Sequence, residues 1–314
     1  MQTEQTPDHG GGIDAAAARF GGHRADWIDL STGINPEPYP LPAFLPQDWT
    51  ALPDQAAHAA LITAARRCWS VPEGAAVLPT PGASAPIALI PQLVPATCVR
   101  IPAPTYNEHA RAFRAAGWAL TDGPADAQVR VHPNNPDGRF WDGGSQAALT
   151  VIDESFCDIA PDRSLIARAA DPGTIVLKSF GKFWGLAGLR LGFAIGDPAL
   201  IAQMATRLGP WPVSGPALRV GAAALADPAW AADTRARLDR DAARLDALMP
   251  APAVGGTSLF RLYDVGVAAD WQHHLARHRI WSRIFPYSTR WLRLGLPPAS
   301  GWARLGRAIS EARA

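Results

Sequence analysis

Cysteine is scarce in this sequence, and so is net charge. Only Cys68, Cys98 and Cys157 occur, an odd number without metal-ligand spacing; this excludes a disulfide framework or zinc module and fits a reducing compartment. The formal net charge is +1, from 29 Lys and Arg against 28 Asp and Glu, and like charges nowhere form a run. That balance offers no field for nucleic acid or an anionic membrane, so any anion has to be met by individual arginines. No apolar stretch approaches about 18 residues, and the polar, acidic segment from Met1 to Asp8 lacks a secretory apolar core, which makes cytoplasm the expected compartment. No Gly-x-Gly-x-x-Gly turn follows the first strand, against a nucleotide-binding Rossmann enzyme, and no internal repeat is found.

Prolines and tryptophans are plentiful instead, 30 and 12 of them, with prolines gathered in connections such as Pro36-Glu37-Pro38-Tyr39-Pro40, where they mark loops. With 48% apolar and 18% charged residues over 314 positions, the chain can bury one large core or two ordinary ones. Between Pro72 and Ile195, β-prone runs at 97–101, 128–132, 149–152, 174–177 and 191–195 alternate with helical stretches at 107–116 and 164–170. This predicts a three-layer α/β/α domain with a mostly parallel sheet, whose ligands gather beyond the C-terminal strand ends. The Pro- and Gly-rich stretch 209–216 reads as a hinge. Beyond it, a helix at 227–249, short strands at 258–263, 280–285 and 291–296, and a last helix from Ser300 predict a smaller α+β domain. The expected division is 36–212 for the large domain, with 1–35 and 213–314 forming an N-terminal arm and the small domain.

The chemistry is concentrated in Ser179-Phe180-Gly181-Lys182, which follows an apolar strand and runs on through a glycine-rich turn to Arg190. An amine held beside a hydroxyl and a guanidinium suits a cofactor that carries an aldehyde and a phosphate, which points to pyridoxal phosphate. Lys182 would form the Schiff base, while Ser179 and Arg190 would take the phosphate. Further pieces follow in chain order. Gly82-Ala83-Ser84 is a tight turn opening a helix, suited to phosphate or simply to capping. Tyr106 could stack on the cofactor ring or pack at a strand end. Asn135, in an Asn-Pro turn, could donate to a ring oxygen. Asp153 ends a buried strand, where a carboxylate needs a partner such as a protonated ring nitrogen.

In this order and spacing, the residues resemble the class I/II aminotransferase-like group of fold-type I pyridoxal phosphate enzymes from Gly33 to Arg293. The resemblance implies the roles above for Asn135, Asp153, Lys182 and Arg190, makes Tyr106 part of the catalytic set, and implies a homodimer. Arg293 matches the arginine that receives the substrate carboxylate. Two positions depart from the pattern: Phe156 stands where many relatives have a tyrosine, and Leu52-Pro53-Asp54 where many have Tyr-Pro-Asp. His9-Gly10-Gly11, the turn 31–36 with Asn35, and Ile280-Trp281-Ser282-Arg283 look like the threonine-phosphate decarboxylases of cobalamin biosynthesis. That implies a small phosphorylated amino-acid substrate bound by His9, Gly10, Asn35, Asn135, Arg283 and Arg293, with loss of carbon dioxide. An amino-acid or histidinol-phosphate aminotransferase shares most of these residues. A catalytically silent ligand sensor is the other alternative, disfavoured by Lys182 and by the lack of a basic DNA-binding segment before Gly33.

Overall fold

A computed structural model describes residues 9–142 and 147–312. The chain divides into two compact units, a large one of Pro38–Arg235 and a small one formed by 9–37 with 236–312. This corrects the boundary expected at 212/213. The helix Gly215–Leu225 belongs to the large unit because its Gly221 lets side chains from elsewhere in that unit close in. A Cβ there would lie 2.5 Å from Leu191 Cδ2 and 2.8 Å from Leu61 Cδ1.

The large unit is built on seven strands: β1 (Ala76–Thr80), β2 (Cys98–Arg100), β3 (Ala119–Leu120), β4 (Ala127–Val131), β5 (Leu149–Asp153), β6 (Thr174–Ser179) and β7 (Gly192–Gly196), in the order β1-β7-β6-β5-β4-β2-β3. The expected five strands are present within a residue or two, and β1 and β3 are additional. β2, β3, β4, β5 and β6 run parallel; β7 is antiparallel to both β6 and β1. Every residue of β5 is buried, as expected of a strand covered on both faces, and its apolar composition follows from that position. The helix Asn107–Ala115 is found as expected, whereas 166–170 is a 3₁₀ segment rather than an α-helix. Asp54 and Asp197 cap the helices Gln55–Trp69 and Pro198–Leu208, accepting from Ala57 N at 2.9 Å and Ala199 N at 2.8 Å. Each such cap stabilises its helix by about 1 kcal/mol.

Strand direction decides where the functional segments meet. Because β7 runs backwards, its first residue, Gly192, pairs with both Ser179 at the end of β6 and Thr80 at the end of β1. The chain before β7, carrying Arg190, is therefore delivered to the same sheet end as the Ser179 and Gly82 turns.

In the small unit, β8 (Ala253–Thr257), β9 (Phe260–Asp264), β10 (Arg283–Phe285) and β11 (Ser288–Gly295) form an antiparallel sheet ordered β10-β11-β9-β8. A separate parallel pair joins Ile28–Asp29 to Ile280–Trp281. The helix Trp302–Glu311 closes this unit, as expected, while β8 was not foreseen.

Candidate active site

A cavity of about 230 Å³ opens at the C-terminal end of β4, β5 and β6. Ala83, Ser84, Tyr106, Asn135, Asp153, Ser179, Lys182 and Arg190 all line it, joined by Ile87, Val131, Ser155, Phe156, Gly181 and Ala187. Gly82 is not itself a lining residue but precedes Ala83, which is, and it packs against Arg190. It has φ +75°, and a Cβ on it would collide with Arg190 Nη2. Gly192 is required for a related reason, since its Cβ would lie 2.6 Å from Gly82 C and 2.7 Å from Ala83 N. Thus the Gly82-Ala83-Ser84 turn, the start of β7 and the Arg190 side chain can share one small volume only with glycine at both positions.

Asp153 is 2% exposed. One carboxylate oxygen contacts His109 Nε2 at 2.8 Å, and the other accepts from Ser155 N at 3.0 Å and Ser155 Oγ at 2.5 Å. Burial alone would raise its pKa, but the His109 hydrogen bond and charge, with the Ser155 donors, outweigh burial and hold the carboxyl below its ordinary range. Asp153 is therefore a buried, prepared anion. Tyr106 moves the other way: burial, then the charges of Asp153 and Glu108, push its phenol up to about 12, so the hydroxyl keeps its proton. Lys182 Nζ lies 5.1 Å from the centre of the Phe156 ring. Ser179 Oγ accepts from Gly181 N at 3.2 Å, and Arg190 Nη1 donates to Ala187 O at 3.0 Å. The two neighbouring asparagines separate cleanly. Asn134 is fully buried and bonded to Thr105, Pro104 and Asp137, which makes it structural, while Asn135 faces the cavity.

The other expected residues lie in the small unit. Arg283 and Arg293 are direct cross-strand partners on β10 and β11. Arg283 Nη1 donates to His9 O at 2.9 Å, and Arg293 Nη2 to Ser31 O at 2.5 Å. Gly10 packs so tightly on Ser31 that a Cβ would strike the Ser31 carbonyl, and Gly11 N donates to Ser31 Oγ at 2.6 Å. Arg293 is 4% exposed; burial, then the Arg283 charge, depress its pKa to about 10. Like charges placed opposite each other are unfavourable in a sheet, so this pair is suited to receiving anions. Asn35 is buried, its Oδ1 accepting from Arg237 Nη2 at 2.7 Å and Glu37 N at 3.1 Å.

His109, Ser155 and Arg237 escaped the sequence reading. His109 had a usable signal: it stands four residues before Phe113 on a short amphipathic helix, where both are buried, so the two share its apolar stripe. Ser155 and Arg237 had none, because their partners are set by a turn and by chain segments far apart in sequence.

An amine, a buried anion, an arginine and the hydroxyls of Ser84 and Ser179 around one cavity suit an aldehyde- and phosphate-bearing cofactor with a cationic ring. The chain belongs to the aminotransferase class I and II family, whose model matches residues 144–300, and it is a pyridoxal phosphate-dependent enzyme. It is similar to threonine-phosphate decarboxylase of Sinorhizobium sp., with 42% identity over 96% of this chain and 97% of that protein, and to threonine-phosphate decarboxylase of Pseudomonas aeruginosa, with 40% identity over the same shares. Its fold matches that of histidinol-phosphate aminotransferase from Sinorhizobium meliloti, solved in complex with pyridoxal-5'-phosphate, with a TM-score of 0.79 at 19% identity over 96% of this chain and 94% of that one.

Proposed function

We propose that this enzyme removes the carboxylate of L-threonine O-3-phosphate, yielding (R)-1-amino-2-propanol O-2-phosphate and carbon dioxide for cobalamin biosynthesis. The observation that carries this reading is the Arg283–Arg293 cross-strand pair, two adjoining anion receivers for a substrate with two anionic groups. The similarity to threonine-phosphate decarboxylases along 96% of the chain supports it.

Pyridoxal phosphate, when bound, supplies an electron-withdrawing ring that stabilises charge at the substrate Cα as the carboxylate departs. Lys182 Nζ would hold the cofactor covalently. Ser84, Ser179, Arg190 and the N–H groups of the Gly82-Ala83 turn would bind its phosphate, and Asn135 would donate to the ring oxygen. Asp153, kept ionised by His109 and Ser155, would hold a proton on the ring nitrogen. The Tyr106 ring would pack on the cofactor, its hydroxyl remaining protonated. His9, Gly10, Asn35, Arg283 and Arg293 would bind the substrate's anionic groups and with Asn135 orient Cα, so that the carboxylate rather than hydrogen is aligned for cleavage. Lys182 Nζ would then return a proton to Cα.

The second reading, histidinol-phosphate aminotransferase, is favoured by the 30% identity to that enzyme of Mycobacterium bovis over 75% of this chain. Carbon dioxide released from phosphothreonine is the expected result. Glutamate formed from histidinol phosphate and 2-oxoglutarate, without carbon dioxide, would overturn the proposal.

A homodimer in the cytoplasm completes the reading. Leu41, Leu45, Trp49 and Leu52 of the large unit are 58%, 42%, 67% and 66% exposed, an apolar set that a second copy would cover. Among the described residues no helix is long and apolar enough to cross a membrane. Trp49→Lys should shift the protein from dimer to monomer in sedimentation; a wild-type monomer would remove the dimer from the proposal.

A further inference from the structure

The Lys182 segment has a second anchor on the side of the sheet away from the cavity. Ser179 faces the cavity, and side chains alternate along a strand, so its neighbour Lys178 points to the opposite face. There Lys178 Nζ contacts Glu154 Oε2 at 2.6 Å and approaches Asp158 Oδ1 at 3.8 Å, all three residues being buried. His132, Glu154 and Cys157 bring ligand-type atoms within 4.8 Å of one another, but the Lys178 ammonium is already the cation on Glu154, and His132 Nε2 donates to Arg163 O at 2.7 Å. The cluster is therefore an internal ion-pair network.

Asp158 links this network to the lysine turn. One of its oxygens accepts from Trp69 Nε1 at 2.8 Å and the other from Trp184 Nε1 at 3.0 Å. Trp184 stands two residues after Lys182, inside a turn closed by Gly185 N to Lys182 O at 3.1 Å and Leu186 N to Phe180 O at 3.0 Å. Its ring is stacked against Phe180 and Trp230, at 5.2 Å and 5.4 Å with interplanar angles of 13° and 14°. Stacking fixes the plane of the indole but resists rotation within that plane only weakly, because dispersion is not directional. Edge-on contacts with Phe183 and Tyr39 add shape, and the N–H bond to Asp158 adds a directional restraint.

We infer that Asp158, anchored by the Lys178 ammonium, is a positioning residue that orients the Lys182 turn through the Trp184 indole. This rests on Lys182 being the lysine that holds the cofactor. Trp69 provides an internal control: it bonds the same carboxylate but lies on the helix Gln55–Trp69, outside the lysine turn.

The test compares Trp184→Phe with Trp69→Phe in the full-length cofactor-loaded enzyme. Both variants lose one indole bond to Asp158, and both should lower the Tm. Trp184→Phe should also reduce kcat by about tenfold with KM nearly unchanged, weaken cofactor binding by about tenfold, and shift the absorbance band of the bound cofactor. Trp69→Phe should keep kcat, cofactor affinity and absorbance close to wild type. Asp158→Asn should reproduce the Trp184→Phe pattern, and the double variant should add little to either single change. Equal effects of the two tryptophan substitutions on cofactor affinity and absorbance, or full additivity in the double variant, would overturn the inference. If Trp184→Phe does not fold, Asp158→Asn against Trp69→Phe makes the same comparison. The affinity and absorbance readouts need no substrate, so they are independent of the decarboxylase reading, and borohydride labelling of Lys182 in the wild type checks the lysine assignment itself.

Discussion

Asp153 of the large unit and Arg293 of the small unit are both buried charges, 2% and 4% exposed, yet their surroundings treat ionisation in opposite ways. Around Asp153, the contacts of His109 and Ser155 outweigh burial and favour the charged form. Around Arg293, burial and the neighbouring Arg283 charge both disfavour it. The first site is electrostatically prepared by the protein alone and can impose its charge on whatever enters. The second carries two like charges that burial disfavours, a state that an arriving anion would offset.

The most severe way to break this contrast is to remove the amine on the Asp153 side. Lys182→Ala should lower carbon dioxide release at least about a thousandfold and abolish borohydride labelling; residual turnover near wild type would place the chemistry elsewhere. Asp153→Asn comes next, since it keeps the shape but removes the charge; kcat should fall about a hundredfold, with steady-state kinetics as the check. On the other side, Arg293→Lys retains a charge but loses the planar fork, so KM for phosphothreonine should rise about tenfold or more, with a smaller fall in kcat. A fall in kcat with KM unchanged would make Arg293 part of the chemistry and dissolve the contrast.

The smallest effect concerns acid stability. The folded-state pKa of Asp153 lies below its ordinary value of 3.8, so its contribution is complete above that value and is lost as pH falls through the lower, folded one. The Tm gap between wild type and Asp153→Asn should therefore be widest near neutrality and narrow by a few degrees in strong acid. A gap that widens on acidification would show that Asp153 is not held ionised.

Much of the large unit is legible in the sequence. The strands around 128–132, 149–152 and 174–177 are visible because buried parallel strands are continuously apolar, and residues of the polar cluster after each one line the same cavity. The 164–170 stretch is helical, but as the short 3₁₀ segment Ile166–Ala170 and not a full α-helix. The unit boundary misled: Pro and Gly at 209–216 mark a bend, but the following helix carries Gly221 and packs back on the large unit, and no local signal reports that.

The sequence by itself determined which chemical groups are present and roughly which strand end bears each one, because apolar periodicity and turn residues act over short distances along the chain. Only the tertiary structure decided that Asp153 is held by His109 and Ser155, that Arg283 lies opposite Arg293, and that Asp158 joins Trp69 to Trp184. Most of these pairings join segments far apart in the chain, and their geometry follows from strand order, register and close packing rather than from any local pattern.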